Sequence, residues 1–436
     1  MNAHARPEAA PALRREDSEG IAVLTLNRPQ SRNPLSEAML AALADSFTTI
    51  AADRSVKAVV LAAEGPGAIA AVPPGMEAMI LADMARTGAA VAYLVSDGQR
   101  LADLVQLLSF FAPDIPVLTL PGWDCLPYDR VSPGTDVAAE RLSTLSALAR
   151  HAEKPHPAIL LATANAVLQK VPPRDVIEAL AFSARPGQVI RMEDIAARLE
   201  RNGFERVPTV REVGEFAVRG GILDVYVPGE AEPVRLDFFG DTLETIRHFD
   251  PGSQRTTGQA RSLDLNPMSE VTLTPETISR FRKNYLSMFG AATRDDALYQ
   301  AVSEGRRFAG MEHWLPLYYE ELETVLDQIQ NFRIVTDHTL EEAARERFNL
   351  IEDYYEARRS AGEPGRGQTA QSAPYKPVPP DQLYLSAGRL SQMLAARGAI
   401  RMTPFAEDEL AGRKVMTPDA HPGPRWAKAQ GTEKTG

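Results

Sequence analysis

The residues best suited to chemistry in this 436-residue chain are two arginines and a phenylalanine. Arg219 lies in the string Gly214-Glu215-Phe216-Ala217-Val218-Arg219-Gly220-Gly221, and Arg235 and Phe239 lie in Arg235-Leu236-Asp237-Phe238-Phe239. Side chains of a strand alternate between its faces, so the even spacing puts Arg235 and Phe239 on one face. Arginine with an aromatic is the composition of a protein-interface hot spot. The guanidinium takes a carboxylate bidentately and the ring supplies apolar area. The same spacing also fits Arg235 paired with a neighbouring acid and Phe239 in the core. Asp237 shares a strand face with Arg235, which points to an ion pair, and Asp224 fits the same role.

Other chemistries find less support. The loop Val72-Pro73-Pro74-Gly75-Met76-Glu77-Ala78 stands where a phosphate loop would, around Pro74 and Gly75. A working loop reads G-x-x-x-x-G-K-[ST], its lysine meeting the terminal phosphates and its hydroxyl the magnesium. No such string occurs in the chain, so no bound cofactor and no nucleotide hydrolysis are expected. The seven histidines are scattered without H-E-x-x-H spacing, so no metal site is expected. Cys125, the single cysteine, reads as a buried structural thiol. No G-x-S-x-G nucleophile elbow is present.

These residues need elements to position them. Val91 to Val95, Val117 to Leu120 and Ala158 to Ala162 read as strands, alternating with helices over Met76 to Arg86, Leu101 to Phe111 and Ala138 to Leu148. That alternation predicts a parallel, doubly wound sheet. Residues 181–267 read instead as β-rich with one helix from Met192 to Asn202. Gly221 to Tyr226, Pro233 to Phe239 and Leu243 to Phe249 form a predicted antiparallel meander, with turns at Gly229 and Gly240-Asp241. Thr339 to Arg359 reads as a helix. Near the start, Ile21 to Leu26 is a predicted strand, Asn27-Arg28-Pro29 a turn, Ser36 to Ala52 a capped helix and Val56 to Ala62 a second strand.

Composition narrows the class. The net charge is −11, with −1 on residues 1–67, +3 on 412–436 and −13 on the middle. A whole-surface attraction to nucleic acid is therefore not expected. No run of 18 apolar residues or signal-peptide core is present, and one cysteine closes no disulfide; together these predict a cytoplasmic protein with no membrane partner.

Two resemblances follow from longer strings. IAVLTLNRPQSRNPLSEAML…VKAVVLAAEGPGA resembles the start of a crotonase (enoyl-CoA hydratase/isomerase) domain. The likeness breaks off near Ala68, where a crotonase would continue into a segment forming an oxyanion hole and this chain reads Ile69-Ala70-Ala71-Val72-Pro73-Pro74. The strings WDCLPYDRVSP, RLSTL, GEFAVRGGILDVY, RLDFFGD, FDPGSQR and GMEHWLPL, in this order, resemble the amino-terminal UvrB-like region of bacterial transcription-repair coupling factors, the Mfd family, over about residues 69–410.

That second resemblance implies an α/β multidomain chain. Its core is a degenerate, non-hydrolysing P-loop ATPase-like parallel sheet, similar to UvrB and split around an inserted β-rich domain that binds UvrA. Arg219, Arg235 and Phe239 match residues that contact UvrA in the family; Glu215 and Arg206 are weaker rim candidates. ATP and magnesium, RNA polymerase and DNA are engaged in the family through later domains, which this chain is expected to lack. About a dozen residues separate Tyr128 from Arg141, too few for the long hairpin that UvrB threads between DNA strands. The expected division is a tail over 1–17, a crotonase-like fragment over 18–67, the first core part over 68–180, the inserted domain over 181–267, a helical second core part over 268–359, a linker over 360–381, the start of a further domain over 382–411 and a tail over 412–436. The leading expectation is a non-catalytic UvrA-binding module. The alternatives are an acyl-CoA enzyme built on residues 20–66 and DNA translocation by the chain itself.

Overall fold

The computed structural model describes residues 13–18, 21–26, 36–63, 67–88, 90–180, 182–228, 230–265, 267–293, 296–361, 375–407 and 415–418. The expected turns at Asn27-Arg28-Pro29 and Gly229, most of the linker and most of both tails lie outside them. The chain divides into two compact units.

The first unit comprises residues 1–80, 334–338 and 394–436. Ile21–Leu26 pairs antiparallel with Leu13–Ser18 and parallel with Ala58–Ala63. The Leu13–Ser18 strand falls almost wholly within the expected tail. The helix Glu37–Ala52 starts at Ser36, whose Oγ accepts from the Met39 N–H at 3.3 Å. It buries Met39, Leu43 and Ile50 against Ala22 and Leu24. The unit also holds short parallel strands. Ala68–Ile69 lies between Ile400–Met402 and Val415–Met416. Val415–Met416 lies within the expected tail over 412–436, and this two-residue apolar step pairs at a sheet edge.

The second unit comprises residues 81–333 and 339–393. Ile159–Thr163 lies between Val91–Val95 and Val117–Leu120, all parallel, and the helices Gly98–Phe111 and Thr135–Glu153 are the crossovers. The second helix runs longer at both ends than the apolar stripe predicted. Its Arg141 is fully buried and pairs through Nε with Glu270 Oε1 at 2.7 Å, where Trp123 Nε1 also donates at 3.0 Å. A helical part follows, in which Pro275–Phe289 and Leu340–Ala361 contribute Phe281, Tyr285 and Ile351 to a core containing Trp123, Trp314, Tyr318 and Tyr384. Trp123 and Trp314 are thus core anchors.

The β-rich insertion enters on Phe182–Ala184 and leaves on Leu263–Leu265, and these two strands pair antiparallel. Between them stands a six-stranded sheet in the order Thr256–Gln259, Thr242–Phe249, Val234–Phe239, Ile222–Val225, Glu215–Arg219, Glu205–Arg206. The neighbours are antiparallel except the last pair, which is parallel. The helix Met192–Arg201 lays Ile195 and Leu199 on one face, against Phe216, Leu223, Val225, Val234, Leu236, Leu243 and Ile246. That apolar alternation leaves the other face for Arg219, Asp224, Arg235, Asp237 and Phe239.

Candidate protein interface on the inserted sheet

Asp224 and Arg235 stand directly opposite each other on neighbouring antiparallel strands. Arg235 donates from Nε to Asp224 Oδ1 at 2.7 Å and from Nη2 to Oδ2 at 2.9 Å. Arg219 Nη2 donates to the same Oδ2 at 2.8 Å. Asp224 is only 1% exposed, so one buried carboxylate holds both arginines. The bidentate hydrogen bond raises the Arg235 pKa, which keeps its charge fixed. Arg235 also lies over the Phe249 ring at 4.7 Å, and its Nη1 reaches the Gln254 carbonyl at 3.4 Å.

The two arginines are not equivalent. The Arg235 side chain is 17% exposed and most of its donors are engaged. The Arg219 side chain is 50% exposed, at a strand end. Arg219 is the more exposed of the two, whereas Arg235 braces the sheet beneath it.

Asp237 does not pair with Arg235 as the shared strand face predicted. It accepts from Arg247 Nε and Nη2 at 2.9 and 2.6 Å and from Thr245 Oγ1 at 2.7 Å, all on the adjacent strand. Thr245 stands directly opposite Asp237 and Arg247 lies diagonal to it, while the Arg235 guanidinium is already held by Asp224.

Phe239 is not in the core. It is 77% exposed, at the hairpin end where Gly240 takes φ +60°. Glu215 shares the face, but its Oε2 accepts from the Arg211 and Glu212 amides at 2.7 and 2.9 Å and closes a local turn. Arg206 is not brought to this face. It is in register with the core-facing Phe216, and its nearest acid is Glu200 on the covering helix, 3.9 Å away. Expected as a weaker rim candidate, Arg206 is turned to the helix side by its register with Phe216.

The phosphate-loop region has a different chemistry. The amides of Ala70, Ala71 and Val72 donate to the carbonyls of Met416, Phe405 and Thr403 at 2.8, 2.9 and 3.0 Å. Pro73 and Pro74 have no N–H. The Met76 amide donates to the Pro73 carbonyl at 3.1 Å, and Glu77 puts a carboxylate in the first helical turn. Few amides and a local negative charge make a poor phosphate cradle. Among the described residues no group of three or more His, Cys, Asp or Glu side chains could hold a metal ion. Burial pushes the Cys125 thiol up to about 12, which leaves it protonated and unreactive, 3.8 Å from His313 Nε2. No helix among the described residues is long and apolar enough to cross a membrane.

The sheet, its neck and its arginine clamp form one compact β-rich insertion. Residues 182–271 match the family model described as the UvrB interaction domain, and residues 16–79 match that of enoyl-CoA hydratase/isomerase. The curated relatives are transcription-repair-coupling factors. That of Rickettsia prowazekii is 31% identical over 306 residues, 70% of this chain and 26% of the relative. That of Escherichia coli is 33% identical, over 56% of this chain and 21% of the relative. That of Myxococcus xanthus is 40% identical, over 50% of this chain and 18% of the relative. Both resemblances read from the sequence strings therefore stand. The chain spans about a quarter of the length of the first relatives it matches. An enoyl-CoA hydratase structure from Mycobacterium smegmatis aligns at 33% identity over 26% of this chain and 49% of that one, with a TM-score of 0.13, too low to bear on the fold.

Proposed function

We propose that this chain is a binding module of transcription-coupled nucleotide excision repair, and that the outer face of its inserted sheet docks on UvrA. The observation that carries the reading is the clamp. Asp224 fixes Arg219 and Arg235 on the same face as the exposed Phe239, inside the segment that matches the interaction-domain model. Arg219 meets a UvrA carboxylate and Phe239 enters an apolar site. The parallel strands on both sides of the insertion serve as a UvrB-like scaffold that binds no nucleotide. The charge of −13 on the middle of the chain favours a protein partner over DNA. The module works in the cytoplasm and performs no catalysis.

Titration of the folded chain with UvrA tests this. Saturable binding is expected, weakened about thirtyfold by Arg219→Ala, the equivalent of about 2 kcal/mol at a hot-spot arginine. A flat isotherm with folded protein overturns it.

A second reading rests on the enoyl-CoA hydratase/isomerase match at residues 16–79. It predicts hydration of crotonyl-CoA above the uncatalysed rate. No change in thioester absorbance rules it out.

A further inference from the structure

We propose that Val189 is a second apolar anchor of the docking face, seated beside Phe239 in the same partner surface. The proposal rests on the reading of this face as an interface. Val189 belongs to none of the motif strings. It forms an isolated antiparallel bridge with Thr242. The Ile190 amide donates to the Asp241 carbonyl at 2.7 Å and the Leu243 amide to the Gln188 carbonyl at 3.0 Å. These bonds flank the pair, so Val189 and Thr242 are a non-hydrogen-bonded pair with side chains on one face. Thr242 is paired on its other side with Phe239. Val189, Thr242 and Phe239 thus make one row. Their neighbours Ile190, Leu243 and Phe238 pack into the core on the opposite face. Val189 is 77% exposed, as much as Phe239. Two strand spacings separate them, about 10 Å.

The chemistry of the face specifies its occupant. The row next to Phe239 contains Arg219, Ile222, Asp237 and Thr245, and the row beyond it Asp224, Arg235 and Arg247. These rows carry three arginines and two aspartates, while Glu215 and Glu205 stand further along the same face, and the half-exposed Arg219 is the cation in the row nearest Phe239. The face grades from apolar at the hairpin end to the arginine clamp. The complement is a protein surface with an apolar depression rimmed by carboxylates. Phosphates would leave the two apolar side chains without a partner.

The test is titration of the full chain with UvrA, with thermal melting alongside. Val189→Ser is expected to weaken binding about tenfold, since burying a valine side chain contributes on that order. Val189→Ile should retain affinity, and both variants should melt with the parent because the side chain is exposed. Val131→Ser, at an exposed valine outside the inserted domain, should bind as the parent does. Unchanged binding by Val189→Ser, with Arg219→Ala weakened, overturns the inference and leaves the interface reading standing. No binding by the parent overturns that reading itself. A concentration-dependent dimer that dissociates in Val189→Ser overturns the inference in favour of self-association.

Discussion

Asp224 and Arg235 face each other across two antiparallel strands, joined by two hydrogen bonds of 2.7 and 2.9 Å, with the aspartate out of reach of solvent. The pair is structural before it is functional. It holds a third residue, Arg219, by the outer lone pairs of the same carboxylate. A buried carboxylate without its arginines, or the reverse, is costly.

Asp224→Ala should therefore destabilise the inserted domain by about 3 kcal/mol, because Arg235 is left half-buried and unpaired. The double variant Asp224→Ala/Arg235→Ala should lose less than the sum of the singles. Urea unfolding followed by far-UV circular dichroism gives the four corners of the cycle. Additive losses would show that the two residues do not act as a pair.

Arg219→Ala and Arg235→Ala should separate binding from stability. Arg219→Ala should weaken UvrA binding with a melting temperature close to the parent's, since the side chain is half exposed. Arg235→Ala should lower both, because it removes the Asp224 pair and the contact with the Phe249 ring. Calorimetric titration beside thermal melting distinguishes the two, and equal melting losses would contradict the assignment.

Gly221→Ala should disturb the turn beneath Arg219. An added Cβ would meet the Phe238 carbonyl oxygen at 2.9 Å, a backbone atom that cannot swing aside. A loss of about 1 to 3 kcal/mol is expected, with weaker UvrA binding as the hairpin shifts. Gly240→Ala, open on all sides, should be limited to the strain of its positive φ.

Stability should fall on acidification through His313. Burial drives its pKa down to about 4, and its ring lies edge-on to Trp123 at 5.4 Å. The unfolded chain titrates near 6.5, so between pH 6.5 and 4 it binds more protons than the folded one. The stability present above pH 6.5 is lost as pH falls through that window, by about 3 kcal/mol, and the loss levels off below 4. His313→Gln should flatten the profile in unfolding titrations across that range. An equally steep profile would point to another group.

ATP with magnesium should not raise the melting temperature. A nucleotide would need amides that Ala70, Ala71 and Val72 already donate to neighbouring carbonyls, and it would approach Glu77. Stabilisation that grows with ATP concentration would disprove this account.

Local pattern was enough for much of the architecture. The strand–helix alternation from Val91 to Thr163, the meander from Ile222 to Phe249 and the even spacing of Arg235 and Phe239 follow from periodicities of 3.6 and 2. Those periods fix which residues share a face, and the quoted strings carried the family resemblance. Pairing partners were not legible, because they depend on register between segments far apart in the chain. Asp224 rather than Asp237 holds Arg235 because it stands directly opposite; Arg206 turns away because its register pairs it with the core-facing Phe216. Val415-Met416 and Leu13–Ser18 become strands only where another strand offers free backbone groups. Val189 reaches the face only because a non-local bridge to Thr242 brings it there. The sequence by itself determined the elements and the residue types of the interface. Tertiary structure decided which arginine is more exposed, which is more fully locked and what stands beside Phe239, since those depend on contacts across strands and not on spacing along one.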